Sequence, residues 1–165
     1  MKMKIGILGA ESTGKSTLAE QLASHFSGTC VPEYARWYVE NHPLPYGFAD
    51  VEAIARKQIE QLKADYDTDY VFFDTELIIT KVWFADKYGV VPQWLDQAIH
   101  ECRLDFCLLC MPDLPFQTDP VRENPDRREY LTSLYEYELN SYNIPYSLLS
   151  GKGEVRLNNA IRLLE

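Results

Sequence analysis

The chain has no apolar run near the ~18 residues that a membrane span needs, so no membrane partner is expected. Positive charge is scarce: 16 Lys and Arg stand against 25 Asp and Glu, a net charge of −9. That balance argues against nucleic-acid backbones and anionic lipids as partners. It leaves nucleotides open, because a nest of backbone N–H groups and one lysine can hold a phosphate inside an acidic protein. Histidine occurs only three times, and cysteine four times, at Cys30, Cys102, Cys107 and Cys110. Cys107 and Cys110 form a C-x-x-C inside the apolar run "DFCLLCM". Strand alternation sends their thiols to opposite faces, and no second pair or histidine cluster completes a zinc site. The cysteines therefore read as small buried hydrophobes of a reduced, cytoplasmic protein. The N-terminal "MKMKIGILG" is too short in apolar length for a signal peptide and reads as a buried strand. Internal repeats, low-complexity runs and interdomain linkers are lacking too, and residues 1–165 are expected to form a single domain.

Five short apolar runs are present: "KIGILG" (4–9), "GTCVP" (28–32), "YVFFD" (70–74), "DFCLLCM" (105–111) and "PYSLLS" (145–150). Helical patterning lies between them, over Lys15–Phe26, Val51–Asp67, Glu76–Tyr88, Pro92–Cys102, Arg127–Tyr142 and Glu154–Leu164. Asp50 and Thr75 are the expected N-caps of the second and third of these, and Gly89 the stop of the third. Strands that are apolar throughout and alternate with helices imply an α/β fold, a parallel sheet covered on both faces. Ligands of such sheets sit at the carboxyl ends of the strands. Those ends carry Gly9, Glu33, Asp74 and Asp113.

The first end opens into "GAESTGKST", Gly9–Thr17, with the skeleton G-x-x-x-x-G-K-S between a strand and a helix. Glycines let the backbone approach phosphate oxygens, the N–H groups point inward, and the helix presents its positive end. Gly9, Ala10, Glu11, Ser12, Thr13, Gly14, Lys15, Ser16 and Thr17 are thus the expected ATP cradle. Lys15 reaches the β- and γ-phosphates and Ser16 offers a hydroxyl to Mg²⁺. Asp74, closing the Walker-B-like "YVFFD", is the second candidate for Mg²⁺, directly or through water; its bland reading is a contribution to capping the next helix.

A guanine-reading N-K-x-D is missing, the one run resembling an L-S-G-G-Q helix start, "LLSGKGE" (148–154), comes after the last strand, and the chain is short for an AAA-type motor. What fits is a small kinase, which needs a base, cations for the transferring group and a cover that excludes water. Glu33 in "VPEYARWYV" lies on the active edge and is the candidate base, with Asp74 the other carboxylate available; the plain alternative for Glu33 is the start of a surface helix. Tyr34, Arg36 and Trp37 cluster around it as candidate acceptor-binding residues, and Tyr46 and Trp83 are further candidates for stacking on a flat base. Cations come from "TDPVRENPDRREYL" (118–131), where Asp126 and Glu129 form a D-x-x-E capping box that starts a helix at Arg127. Arg127 and Arg128 in a first turn oppose the macrodipole, a local rule broken twice. With Arg122 they would form a lid over about 113–130 that closes on the phosphates.

These parts together resemble the ribosylnicotinamide kinase domain of NadR-type NAD-biosynthesis proteins. The likeness rests on "GAESTGKSTL", on "EYAR-x-YV" from Glu33 to Val39, on "FFDT" at 72–75, on "CRLDFCLLC" and on "DRREY" at 126–130. "PEYARW" also resembles the "PEP…RW" run of deoxyribonucleoside kinases, in which the glutamate is the base. The resemblance implies a P-loop kinase-like three-layer sandwich with a five-stranded parallel sheet of order 2-3-1-4-5. It implies ATP- and Mg²⁺-dependent phosphorylation of the 5′-hydroxyl of nicotinamide riboside to the mononucleotide. The family's adenylyltransferase domain does not precede the motifs, so the reaction would stop there. Pro32 stands before Glu33 where the family often has a large aromatic residue. The alternatives are a deoxyribonucleoside-type kinase, and a regulatory ATP-binding module with slow turnover.

Overall fold

A computed structural model describes residues 2–10, 13–42, 45–113 and 127–165. Its strands are β1 (Met3–Gly9), β2 (Thr29–Val31), β3 (Tyr70–Asp74), β4 (Phe106–Cys110) and β5 (Tyr146–Leu149). All pairings are parallel and the order is β2-β3-β1-β4-β5, as the resemblance implied. The helices are α1 (Lys15–His25), α2 (Tyr34–Asn41), α3 (Phe48–Lys63), α4 (Leu77–Tyr88), α5 (Gln93–Glu101), α6 (Arg128–Ser141) and α7 (Gly153–Leu164).

Strand alternation splits the core in two. Ile5, Ile7, Phe72, Leu108 and Cys110 face α1 and α7 through Leu18, Leu22 and Ala160. Leu8, Val71, Phe73, Cys107 and Leu109 face α3 to α6 through Val51, Val82, Leu95 and Leu139. Sheet residues are buried on both sides, which is why the strands are apolar throughout. Cys107 and Cys110 lie in different layers, as alternation requires.

Several helix boundaries differ from the pattern-based reading. α2 is a helix that the reading did not include: it has eight residues and opens without a side-chain cap, so its start carries little signal. α3 begins at Phe48 and not Val51; Asp50 sits at its third position, where Oδ2 accepts the Gly47 N–H at 2.7 Å, the reach-back half of a capping box. It also ends at Lys63, four residues before Asp67. α4 is capped by Glu76, whose side chain accepts from the Ile78 N–H at 2.8 Å, and not by Thr75 or Asp74. It stops before Gly89, as expected. In α6, Arg127 takes the N-cap position and Arg128 opens the helix; Asp126, the other half of the expected capping box, lies outside the described residues.

Parallel register aligns the strand ends that matter. Gly9 of β1 pairs with Cys110, Ile7 pairs with Asp74, and Val31 pairs with Phe73. The phosphate loop, Glu33 and Asp74 therefore leave the sheet along one edge.

Candidate active site

The loop after β1 begins with Gly9 at φ 158°, where a Cβ would meet Thr13 Oγ1 at 2.7 Å and the Cys110 carbonyl at 3.0 Å. It closes with Gly14 at φ 78°, ψ 25°, the left-handed N-cap of α1. Only glycine takes both places without strain. The Ala10 carbonyl accepts from Thr13 Oγ1 at 2.8 Å and from Lys15 Nζ at 3.2 Å, so the lysine is folded back and buried. Glu11 and Ser12 lie outside the described residues.

Ser16 Oγ donates to Asp74 Oδ2 at 2.5 Å. A serine hydroxyl and a buried carboxylate thus face each other beside Lys15. Two hard oxygens fit Mg²⁺, which takes few protein ligands and fills its shell with phosphate oxygens and water. Among the described residues no group of three or more His, Cys, Asp or Glu is placed to hold a metal ion.

A cavity of about 320 Å³ lies over this edge. Gly9, Lys15, Glu33, Arg36, Tyr46, Thr75, Trp83, Asp86, Lys87 and Arg127 are among its lining. Glu33 is the N-cap residue of α2 by backbone, at φ −66° and ψ 100°, yet its carboxylate caps nothing. It lines the cavity, so Glu33 both starts α2, as the plain alternative had it, and faces the site. Helical spacing puts Arg36 and Val39 on the same side as Glu33. Tyr34 and Trp37 are on another side: they stack on each other at 5.4 Å, Trp37 is 53% exposed, and neither lines the cavity. The structure does not bring these two expected acceptor contacts to the site. Tyr46 and Trp83 do line it, edge to face at 5.6 Å, with Lys87 Nζ 4.2 Å over the Tyr46 ring.

The arginines separate likewise. Arg127 lines the cavity and holds Asp86 with both guanidinium arms, at 2.6 and 2.8 Å. That pairing pulls the Asp86 carboxyl below the usual carboxylate range. Arg128 is half-buried and does not line the cavity, Thr17 is exposed on α1, and Arg122 lies outside the described residues. Arg36 pairs with Glu40 at 3.0 Å.

Four residues at the site escaped the sequence reading. Asp86 sits mid-helix among ordinary charges and has no local signature. Thr75 is buried at φ 71°, a left-handed conformation costly for a β-branched residue, and no described residue bonds its Oγ1. Glu76, next to it, is fully buried, and burial pushes its carboxyl up to about 7 against the pull of backbone N–H groups. Arg156 of α7 donates to the carbonyls of Thr13 and Gly14, the second at 3.2 Å. Its signal was available: it lies four residues before Ala160 on the helix's buried stripe, where an arginine is out of place.

A family model described as an AAA domain matches residues 4–156. The NadR trifunctional NAD biosynthesis and regulator protein of Escherichia coli strain K12 is 33% identical over 142 residues, covering 80% of this chain and 34% of that protein. The chain thus spans about a third of the curated relatives it matches. A crystal structure of a NadR protein in complex with NR superposes with a TM-score of 0.82 at 21% identity, over 99% of this chain and 50% of the other. Deoxyadenosine kinase from M. mycoides superposes at 0.70 and 17% identity, over 98% of both chains. Thymidylate kinase from Ehrlichia chaffeensis does so at 0.71 and 13%, over 99% of both. The fold is thus that of P-loop kinases, although the family is labelled for the ATPases that chain length had argued against. With a family model matched over residues 4–156, the chain belongs to the AAA domain family, and over 80% of its length it is similar to NadR.

Proposed function

We propose that the chain is an ATP- and Mg²⁺-dependent kinase that transfers the γ-phosphoryl of ATP to the 5′-hydroxyl of a nucleoside, nicotinamide riboside first, giving nicotinamide mononucleotide. The observation that carries this reading is that Lys15 and Glu33 line one cavity. A pure ATP-binding module has no use for an uncapped carboxylate in the same cavity as its lysine. The NadR relative supports the choice of acceptor.

In this reading residues 9–17 cradle the triphosphate and Lys15 neutralises its β and γ oxygens. Ser16 and Asp74 would hold Mg²⁺, which when bound offsets phosphate charge. Glu33 accepts the proton of the acceptor hydroxyl as that oxygen bonds to the γ-phosphorus. The bond from phosphorus to the β–γ bridging oxygen breaks, and ADP leaves with that electron pair. Arg127, which lines the cavity, would partner charge on the transferring group within one domain; residues 114–126 of the expected lid lie outside the described residues. Trp83 and Tyr46 would wall the flat base. A reduced, cytoplasmic setting suits this chemistry.

The test is ADP release with nicotinamide riboside, deoxynucleosides and pyrimidine ribosides, each against a no-acceptor control. Stoichiometric conversion of nicotinamide riboside is expected. Glu33→Gln should lower kcat by ~10²–10⁴-fold with ATP binding retained. Transfer that survives that substitution removes Glu33 as base, and ADP release that ignores every acceptor leaves an ATPase.

A further inference from the structure

Arg156 is a charged side chain held inside the protein, 6% exposed. An isolated buried charge is costly unless it is paired. Among the described residues no carboxylate lies within ion-pair distance of it; it donates to two main-chain carbonyls, those of Thr13 and Gly14. Both belong to the phosphate loop, 143 and 142 residues earlier in the chain. The Gly14 carbonyl also accepts the Leu18 N–H of α1 at 3.1 Å, so it is bonded twice.

Peptide geometry gives this contact a consequence. The Thr13 carbonyl shares its peptide with the Gly14 N–H, and the Gly14 carbonyl shares its peptide with the Lys15 N–H. In a trans peptide C=O and N–H point opposite ways. A guanidinium on the carbonyl side leaves both N–H groups directed away from it and polarises them into stronger donors. These are amides of the loop that must receive the phosphate. The fork also spans two adjacent carbonyls, which fixes the plane of each peptide; an ammonium cannot do that.

We propose that Arg156 is a positioning residue for the donor nucleotide: it sets and polarises the Gly14 and Lys15 amides from behind, and the nucleotide's β-phosphate is the counter-charge that the described residues do not supply. This rests on reading residues 9–17 as a nucleoside triphosphate site. Because ATP and ADP share the β-phosphate, both should depend on Arg156, while the acceptor should not.

Binding of ATP and of ADP is measured by calorimetric titration on the whole chain, with steady-state kinetics and melting temperatures alongside. Arg156→Ala should weaken ATP and ADP in parallel, by about tenfold or more, and raise the KM for ATP while the acceptor KM stays unchanged. Arg156→Lys, which keeps the charge and one bond, should fall between wild type and Ala. A merely structural role would lower the melting temperature and move neither the ATP-to-acceptor KM ratio nor the two affinities in step. Folded Arg156→Ala with wild-type affinity for ATP and ADP overturns the proposal; if that variant does not fold, Arg156→Lys with wild-type affinity does so. Wild-type chain that binds ATP and ADP but phosphorylates no nucleoside overturns the proposed function and leaves the Arg156 test intact. Wild-type chain that binds neither nucleotide overturns both.

Discussion

At the scale of single residues, Asp86 and Arg127 show how a cation is kept in place at the mouth of a cavity. Both line it, and the bidentate pair joins α4 to the N-cap of α6. The pair is partly solvated, so its value for stability is small; its use is to aim the guanidinium. Asp86→Asn keeps the shape and removes the charge. We expect kcat to fall about tenfold with the melting temperature unchanged. The Asp86 carboxyl is held low by Arg127, so this aim persists at neutral pH and fails only as acid protonates it, below the usual carboxylate range. An Asp86→Asn enzyme with the wild-type kcat would show that Arg127 acts without its partner. None of this pairing is written locally: the two residues are 41 positions apart. The phosphate loop, in contrast, was legible because its motif residues lie within one turn and one helix start. Tyr34 and Trp37 were misplaced for the same reason in reverse. Closeness to Glu33 in sequence said nothing about the face of α2, a helix whose existence the pattern did not reveal.

At the scale of elements, α4 carries the most consequential departure from the pattern. Its cap is Glu76, a fully buried carboxyl raised to about 7, chiefly by desolvation. In the unfolded chain the same group titrates near its ordinary 4.5. The folded state therefore binds the proton more tightly, and stability is greatest below pH 4.5 as far as this group is concerned. It falls as pH rises from there to about 7, above which the fold carries a buried carboxylate. Glu76→Gln can still accept the Ile78 N–H but does not titrate. The melting temperature of wild type relative to Glu76→Gln should decline between pH 5 and pH 7.5, a span worth up to ~3 kcal/mol. Parallel curves for the two proteins would contradict this. The sequence reading placed α4 within one residue and named Thr75 as its cap, because threonine is a good cap by composition. The left-handed Thr75 shows why that failed: the chain turns sharply after Asp74, and the capping position moves one residue on.

At the scale of the whole molecule, the strands were readable from their apolar runs, and all five lie within two residues of the expected bounds. Their order is not written in any local pattern; it came with the family resemblance, and the sheet has it. The two layers make a further expectation about the thiols. Cys107 and Cys110 are fully buried on opposite faces of the central sheet, the first pushed well above its ordinary value and the second up to about 11 by burial. Cys30 and Cys102 are partly exposed. With iodoacetamide at pH 8 and peptide mass spectrometry, Cys30 and Cys102 should label first and slowly. Cys107 and Cys110 should label together, at the rate of global opening. Earlier labelling of Cys107 alone would mean that one layer opens without the other. No described helix is long and apolar enough to cross a membrane.

The contact between Arg156 and the loop around Gly14 also says something about how the protein comes into being. The side chain behind the loop is made 142 residues after it. On the ribosome β1, its turn and α1 leave the tunnel with the N–H groups present but unbacked by Arg156. If Arg156 positions the loop as proposed, full grip on a nucleotide would arrive only once α7 has emerged and docked.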